Sequence, residues 1–215
     1  MPDSHANKDK IIFWEDIDSV SKLRDSLKGG RVCVATSDTV LGLLADTTQK
    51  GYGQLNTVKG RCLKPYIVLI DSIDKLPLFT DINFENKKIT KLINNCWPGP
   101  LTIIFKSKSS AGEYLKSTDD KIAIRIPQNR FLLQLLTFFN GLFSTSANLA
   151  GKEVPSQIEQ LDSVIINSVE YIVLDKINEK SSFPNLPSTI IDCTQDEFKI
   201  LREGAFSVKK LQEYL

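Results

Sequence analysis

The sequence predicts an α/β domain built on a mixed sheet, and three observations carry that prediction. Short β-branched runs alternate with segments of helical period along the chain. The runs YIVLI, LTIIF and IAIRI are almost continuously apolar, as expected of strands covered on both faces. No internal repeat or linker divides the 215 residues, a length that buries a sizeable core as one domain. Residues 1–10 read as a polar tail and 11–215 as the domain.

The elements follow in order. Residues 11–14 are a short apolar run, the first strand. Asp16 or Asp18 can cap a helix that carries Val20, Leu23 and Leu27 at helical spacing and closes at Gly29 and Gly30. Residues 31–35 form a strand, and Thr36, Ser37, Asp38 and Thr39 follow as a polar loop. Tyr52, Leu55 and Val58 share the stripe of a helix over 49–58, whose start is weakened by Gly51 and Gly53. Residues 66–70 are a strand. Ile89, Leu92 and Ile93 mark a helix ahead of Trp97-Pro98-Gly99-Pro100, a sharp turn into the strand 101–105. Residues 122–126 form a strand halted by Pro127, and 130–139 a helix. Leu142 and Phe143 lead into a second polar loop, Ser144-Thr145-Ser146-Ala147-Asn148. The remaining strands are 171–174, 188–192 and 198–201, Ser207 caps a last helix through Leu211, and 176–187 is the longest loop.

Composition excludes several chemistries. The formal net charge of +1 makes no argument for a nucleic-acid partner. Cys33, Cys62, Cys96 and Cys193 form no CxxC pair and read as free thiols of a reducing compartment. The N-terminus has no apolar signal region and no apolar run approaches the roughly 18 residues of a membrane span, so the expected location is cytoplasmic. The single histidine, His5, lies in the polar tail, which argues against Ser-His-Asp, Cys-His and His-zinc sites. Chemistry falls to Lys, Arg, Ser, Thr, Asp and Asn, with no metal held by protein side chains.

Nucleotide signatures of the usual kind are absent. There is no GxxxxGK(S/T) loop, and Gly51-Tyr52-Gly53 is not completed to GxGxxG because Asn56 stands at the third position. Other groups could hold anions. Lys59-Gly60-Arg61 is either a solvated last turn complementing the helix dipole or a pair of ligand-binding cations. The loops 36–39 and 144–148 follow apolar strands, where open α/β sheets place ligands. Arg125, inside an apolar strand, is either the partner of a buried carboxylate or an anion ligand. Arg202 follows a strand and is less telling.

Taken in order, SDTVLGL, KGR, WPGPLTIIF, IAIRIP, STSANLAG, STIID and LREGA make the chain resemble the YrdC-like family from about residue 15 to the C-terminus. The K-x-R and S-x-N signatures, here Lys59/Arg61 and Ser146/Asn148, with WPGP between them, make the resemblance specific. It implies an open twisted mixed sheet with flanking helices and a positively charged concave cavity. It also implies an L-threonylcarbamoyladenylate synthase of the short form, joining L-threonine, bicarbonate and ATP with release of pyrophosphate. The product then serves a separate transferase that modifies tRNA. By that resemblance Lys59 and Arg61 are catalytic and contact ATP. Ser37, Arg125, Ser146 and Ser188 line the threonine pocket, and Lys121, Asn148, Ser156 and Arg202 contact the nucleotide. Mg2+ is expected to enter with the phosphates. A non-catalytic double-stranded RNA-binding or ribosome-maturation role on the same fold is the alternative. The chain departs from the family's PT-D/E-T-x-Y-GL loop at Thr36, Ser37 and Leu41, carries Leu69 where many relatives have histidine, and is one residue shorter after Arg61. Leu41 is expected to loosen the amino-acid pocket.

Overall fold

The computed structural model describes residues 8–60, 65–176 and 186–215. His5, Arg61, Cys62 and most of the loop 176–187 lie outside the described residues. Ten strands form one sheet: β1 (Ile11–Phe13), β2 (Cys33–Ala35), β3 (Gly42–Asp46), β4 (Ile67–Leu69), β5 (Leu101–Lys106), β6 (Lys121–Arg125), β7 (Leu142–Ser146), β8 (Ile172–Leu174), β9 (Thr189–Asp192) and β10 (Lys199–Arg202). Their order is β1-β8-β2-β3-β7-β4-β6-β5-β9-β10. Pairs β1/β8, β2/β8, β4/β6 and β5/β9 are parallel and the other five are antiparallel, so the sheet is mixed. Among the described residues six α-helices flank it: α1 (Ser19–Lys28), α2 (Gln49–Lys59), α3 (Lys87–Cys96), α4 (Arg130–Leu136), α5 (Ser163–Ser168) and α6 (Val208–Gln212).

Two cores sit on opposite faces, and their unequal extent makes the cavity. On one face, Leu55 and Val58 of α2, Ile89, Leu92 and Ile93 of α3, Ile165 of α5 and Leu211 of α6 cover Val34, Leu43, Val68, Ile103, Ile124, Phe143 and Ile191. On the other, α1 and α4 contribute Leu23, Leu27, Leu132, Leu135 and Leu136 against Ile12, Cys33, Leu44, Leu69, Leu142 and Val173. That second core draws nothing from β5, β6, β9 or β10. The alternation of strand residues puts Ile104, Ala123 and Ile190 on this uncovered half, and all three are only partly buried.

Several elements differ from the sequence reading. The strand β3 went unread, because Gly42 interrupts its apolar run and its identity comes from pairing with β2 and β7 rather than from propensity. Ser144, Thr145 and Ser146 are strand, not loop: β7 has neighbours on both edges, which hold its backbone whatever the side chains. The helix α4 ends at Leu136 and gives way to turns, and α5 had no periodic signal to find. Lys8–Lys10, the end of the segment read as a tail, form a 3-10 turn. Lys10 Nζ donates to the carbonyls of Ile166 and Val169 at 3.0 and 2.8 Å, satisfying the C-terminal end of α5. Cys33, Cys96 and Cys193 are buried and free; burial pushes the Cys33 thiol up to about 11 and that of Cys96 up to about 12.

The two glycines of α2 have different standing. Thr48 caps the helix by accepting from Gly51 N at 3.1 Å, worth about 1 kcal/mol. A Cβ on Gly51 would lie 2.1 Å from the Asp46 carbonyl oxygen, whereas one on Gly53 would meet nothing within 4 Å. Gly53→Ala is therefore expected to raise stability by about 0.5–1 kcal/mol. Gly51→Ala is expected to lower it by about 1–3 kcal/mol. Urea unfolding of the two variants checks the opposite signs.

Candidate functional site

The uncovered half of the sheet holds a cavity of about 340 Å3, lined by Thr39, Gly42, Ile67, Arg125, Ser144, Thr145, Ser146, Ser188, Ile190 and Arg202 among others. Among the described residues that line it none is acidic and two are arginine. A second cavity of about 480 Å3 contains Asn148, Lys152, Ser156 and Gln160 and shares Val154 with the first.

Arg125 ends β6 and is 4% exposed. Its Nε donates to Gly99 O at 3.0 Å, beside the cis Trp97-Pro98 peptide, and Nη1 donates to Thr39 Oγ1 at 2.8 Å. Nη2 forms an ion pair with Asp38. Of the two roles weighed for Arg125, the structure shows the partner of a buried carboxylate, and the guanidinium also lines the cavity. Burial pushes its guanidinium below the ordinary range, against the pull of Asp38. Arginine stays protonated in proteins, so the charge is permanent.

Arg202 reaches the same cavity through an irregularity in the sheet edge. Ile200 pairs with Ile191 and Arg202 with Ile190, leaving Leu201 as an extra residue. This bulge restores Arg202 to the face of Ile190; without it the alternation would turn Arg202 to the other side. Arg202 Nε and Nη2 donate to Ser188 O at 3.0 and 2.8 Å. Burial first, and the neighbouring charge of Arg125 second, push its guanidinium down. Two guanidinium groups that face one cavity, with Asp38 the one carboxylate ion-paired to either among the described residues, make a place suited to an anion.

Lys59 is 3% exposed at the end of α2, where Gly60 caps the helix in the left-handed region at φ 61°. Its Nζ donates to Ser146 O at 2.8 Å and to Asn148 Oδ1 at 3.0 Å, and also to Asn148 O. The lysine therefore ties down the S-x-N segment and is not among the lining residues of either cavity. Ser146 Oγ donates to Asn148 Oδ1 at 2.5 Å.

Of the residues singled out in the sequence, Arg125, Ser146, Ser188 and Arg202 are brought together in the first cavity and Asn148 and Ser156 in the second. Ser37 faces a different depression with Asp38, Asn129 and Arg130, and Thr39 stands in its place against Arg125. Lys121 begins β6, some 13 Å by strand rise from Arg125, and is paired with Asp119 and Asp192 at 3.1 and 2.9 Å. Arg61 lies outside the described residues. Leu41 does not line the cavity: strand alternation turns it with Leu43 into the core, fully buried, while Gly42 faces the cavity. Asp38 and Thr102 carried no separate signal, because their roles depend on contacts far away in sequence.

A family model, Sua5_yciO_yrdC, described as telomere recombination, matches residues 25–204. A Methanocaldococcus jannaschii protein named provisionally as a threonylcarbamoyl-AMP synthase is 29% identical over 88% of this chain and 87% of its own length. A threonylcarbamoyl-AMP synthase of Photorhabdus laumondii is 32% identical over 60% of this chain and 69% of its own. P. abyssi Sua5 complexed with L-threonine superposes with a TM-score of 0.81 at 22% identity; the match covers 91% of this chain and 57% of that longer one. E. coli YciO superposes at 0.75 with 21% identity, over 89% of this chain and 92% of its own.

Two outcomes follow from the geometry. Arg202→Met is expected to weaken the binding of a small carboxylate such as acetate at least tenfold by saturation-transfer NMR, with the edge strand's small share of the core leaving urea unfolding nearly unchanged. Asp38→Asn is expected to cost about 3–5 kcal/mol in urea unfolding, because Arg125 loses its buried counter-charge. Adding Arg125→Met to it should cost less than Asp38→Asn alone.

Proposed function

The chain belongs to the Sua5/YciO/YrdC family, and from that premise we propose that it is an L-threonylcarbamoyladenylate synthase. The single observation that carries the proposal is the cavity of Arg125, Arg202 and hydroxyl groups adjoining, across Val154, a second cavity that holds the S-x-N asparagine. A P. abyssi relative complexed with L-threonine supports an amino acid as occupant of the first.

In this reading the threonine carboxylate lies against Arg125, Arg202 and Ser188. The threonine amine forms a C–N bond to the carbon of bicarbonate as a C–O bond breaks and water leaves, and the resulting carbamate presents an oxygen to the α-phosphorus of ATP. That P–O bond forms as the bond to the β-phosphate oxygen breaks, and pyrophosphate carries away the electron pair. No side-chain nucleophile is needed, because the substrate attacks. The protein holds several anions at close range and stabilises the charge that grows on the phosphates. Asn148 and Ser156 contact the nucleotide, and Lys59 fixes the segment that presents Asn148 while adding its charge. Arg61 adds a second cation. Mg2+, bound through the phosphates, would neutralise part of their charge. The product is a mixed anhydride whose consumer is a transferase acting on tRNA.

The test is pyrophosphate release with ATP, Mg2+ and bicarbonate, with and without L-threonine, the adenylate being identified by mass. Threonine-dependent release is expected, and Lys59→Met is expected to lower kcat about 100-fold, the loss typical of one preorganised cationic group. Release indifferent to threonine, or salt-sensitive RNA binding with no turnover, would overturn the proposal.

A further inference from the structure

We infer that Thr102, which does not line the cavity, fixes the direction of the Ser188 hydroxyl and makes Ser188 a one-way hydrogen-bond donor to a ligand carboxylate. The inference rests on the substrate reading just proposed and adds a positioning residue to it.

Thr102 is fully buried on β5, and Ser188, 2% exposed, lies just before β9, the strand parallel to it. Their hydroxyl oxygens are 2.8 Å apart, and on distance alone either could donate. The neighbours decide. Among the described residues Thr102 Oγ1 has no other side-chain or backbone partner. If Ser188 donated, the Thr102 proton would be stranded in a buried strand, a loss of about 1–3 kcal/mol. Thr102 is therefore the donor. Arg202 Nη2 also donates to Ser188 Oγ, at 3.2 Å. A hydroxyl oxygen has two lone pairs, and both are now occupied. The Ser188 proton is left to point into the cavity that this residue lines.

Beside Arg125 the lining has the reverse polarity. Ser37 Oγ gives its proton to Val40 O at 3.2 Å, so in the 3.2 Å contact with Thr39 Oγ1 it can only accept. Thr39, having donated to Ser37 and accepted from Arg125, keeps one lone pair for the cavity. A ligand that carries both an acceptor and a donor, as an amino acid does, can match both polarities: carboxylate to Ser188 and Arg202, N–H or O–H to Thr39.

The test compares L-threonine with L-threoninol, in which an alcohol replaces the carboxylate. Calorimetric titration of wild-type protein, Thr102→Val and Thr102→Ser reads the affinity ratio of the two ligands. The ratio is expected to fall about tenfold in Thr102→Val, the worth of one hydrogen bond to a charged group, and to return in Thr102→Ser. In turnover the same variant should raise KM for threonine with kcat little changed. An unchanged ratio in Thr102→Val, or no recovery in Thr102→Ser, overturns the relay. If Thr102→Val fails to fold, Thr102→Cys supplies a weak donor of similar size and must give a lower ratio than wild type. Wild-type protein that ignores L-threonine would sink the substrate reading separately. The variants would then be titrated with acetate by saturation-transfer NMR, where equal affinities overturn the relay.

Discussion

A permanently charged guanidinium buried at the end of β6 sets the terms for the rest of this site. Arg125 cannot lose its proton, and moving an ion out of water without compensation costs several kcal/mol. The fold supplies that compensation from two distant stretches: Asp38 and Thr39 from the loop after β2, and the Gly99 carbonyl from the turn before β5. The same contacts hold that loop and that turn in place around the cavity. One carboxylate serves two guanidinium groups, since Arg202 has only Ser188 as its hydrogen-bond partner among the described residues.

The covering of the sheet follows a related logic. Helices α1 and α4 protect one half of a face with leucines, and among the described residues no helix covers the other half in the same way. The strands there carry hydroxyls and arginines among isoleucines, so the face tolerates water when empty and offers both polar and apolar contact when filled. Lys59 plays a structural part in this, since three oxygens of the Ser146–Asn148 segment converge on one ammonium. A lysine read as a ligand-facing cation is thus also the anchor of its neighbouring signature.

Much of the fold was legible because it rests on local periodicity. The stripe of Ile89, Leu92 and Ile93 gave α3, and the apolar runs gave β4, β5 and β6 within a residue or two. The strand β3 was not, since only pairing on both edges makes a strand of Gly42–Asp46. The run Ser144–Ser146 misled for the same reason: its composition suits a turn, and its place in the middle of the sheet overrides composition. In the site, the motifs located Arg125, Ser188, Asn148 and Arg202, but no spacing rule could say that Asp38 neutralises Arg125 or that Thr39 rather than Ser37 touches it. Such roles belong to contacts made across more than eighty residues of chain.

The extra residue in β10 has an effect unrelated to ligands. This strand is the free border of the sheet, and a straight border of unpaired N–H and C=O groups invites strands from other molecules to dock and propagate. The bulge at Leu201 breaks the regular row in a strand only four residues long, and Lys199 places an exposed charge at its start. The irregularity that aims an arginine inward therefore also makes this margin a poor template for aggregation.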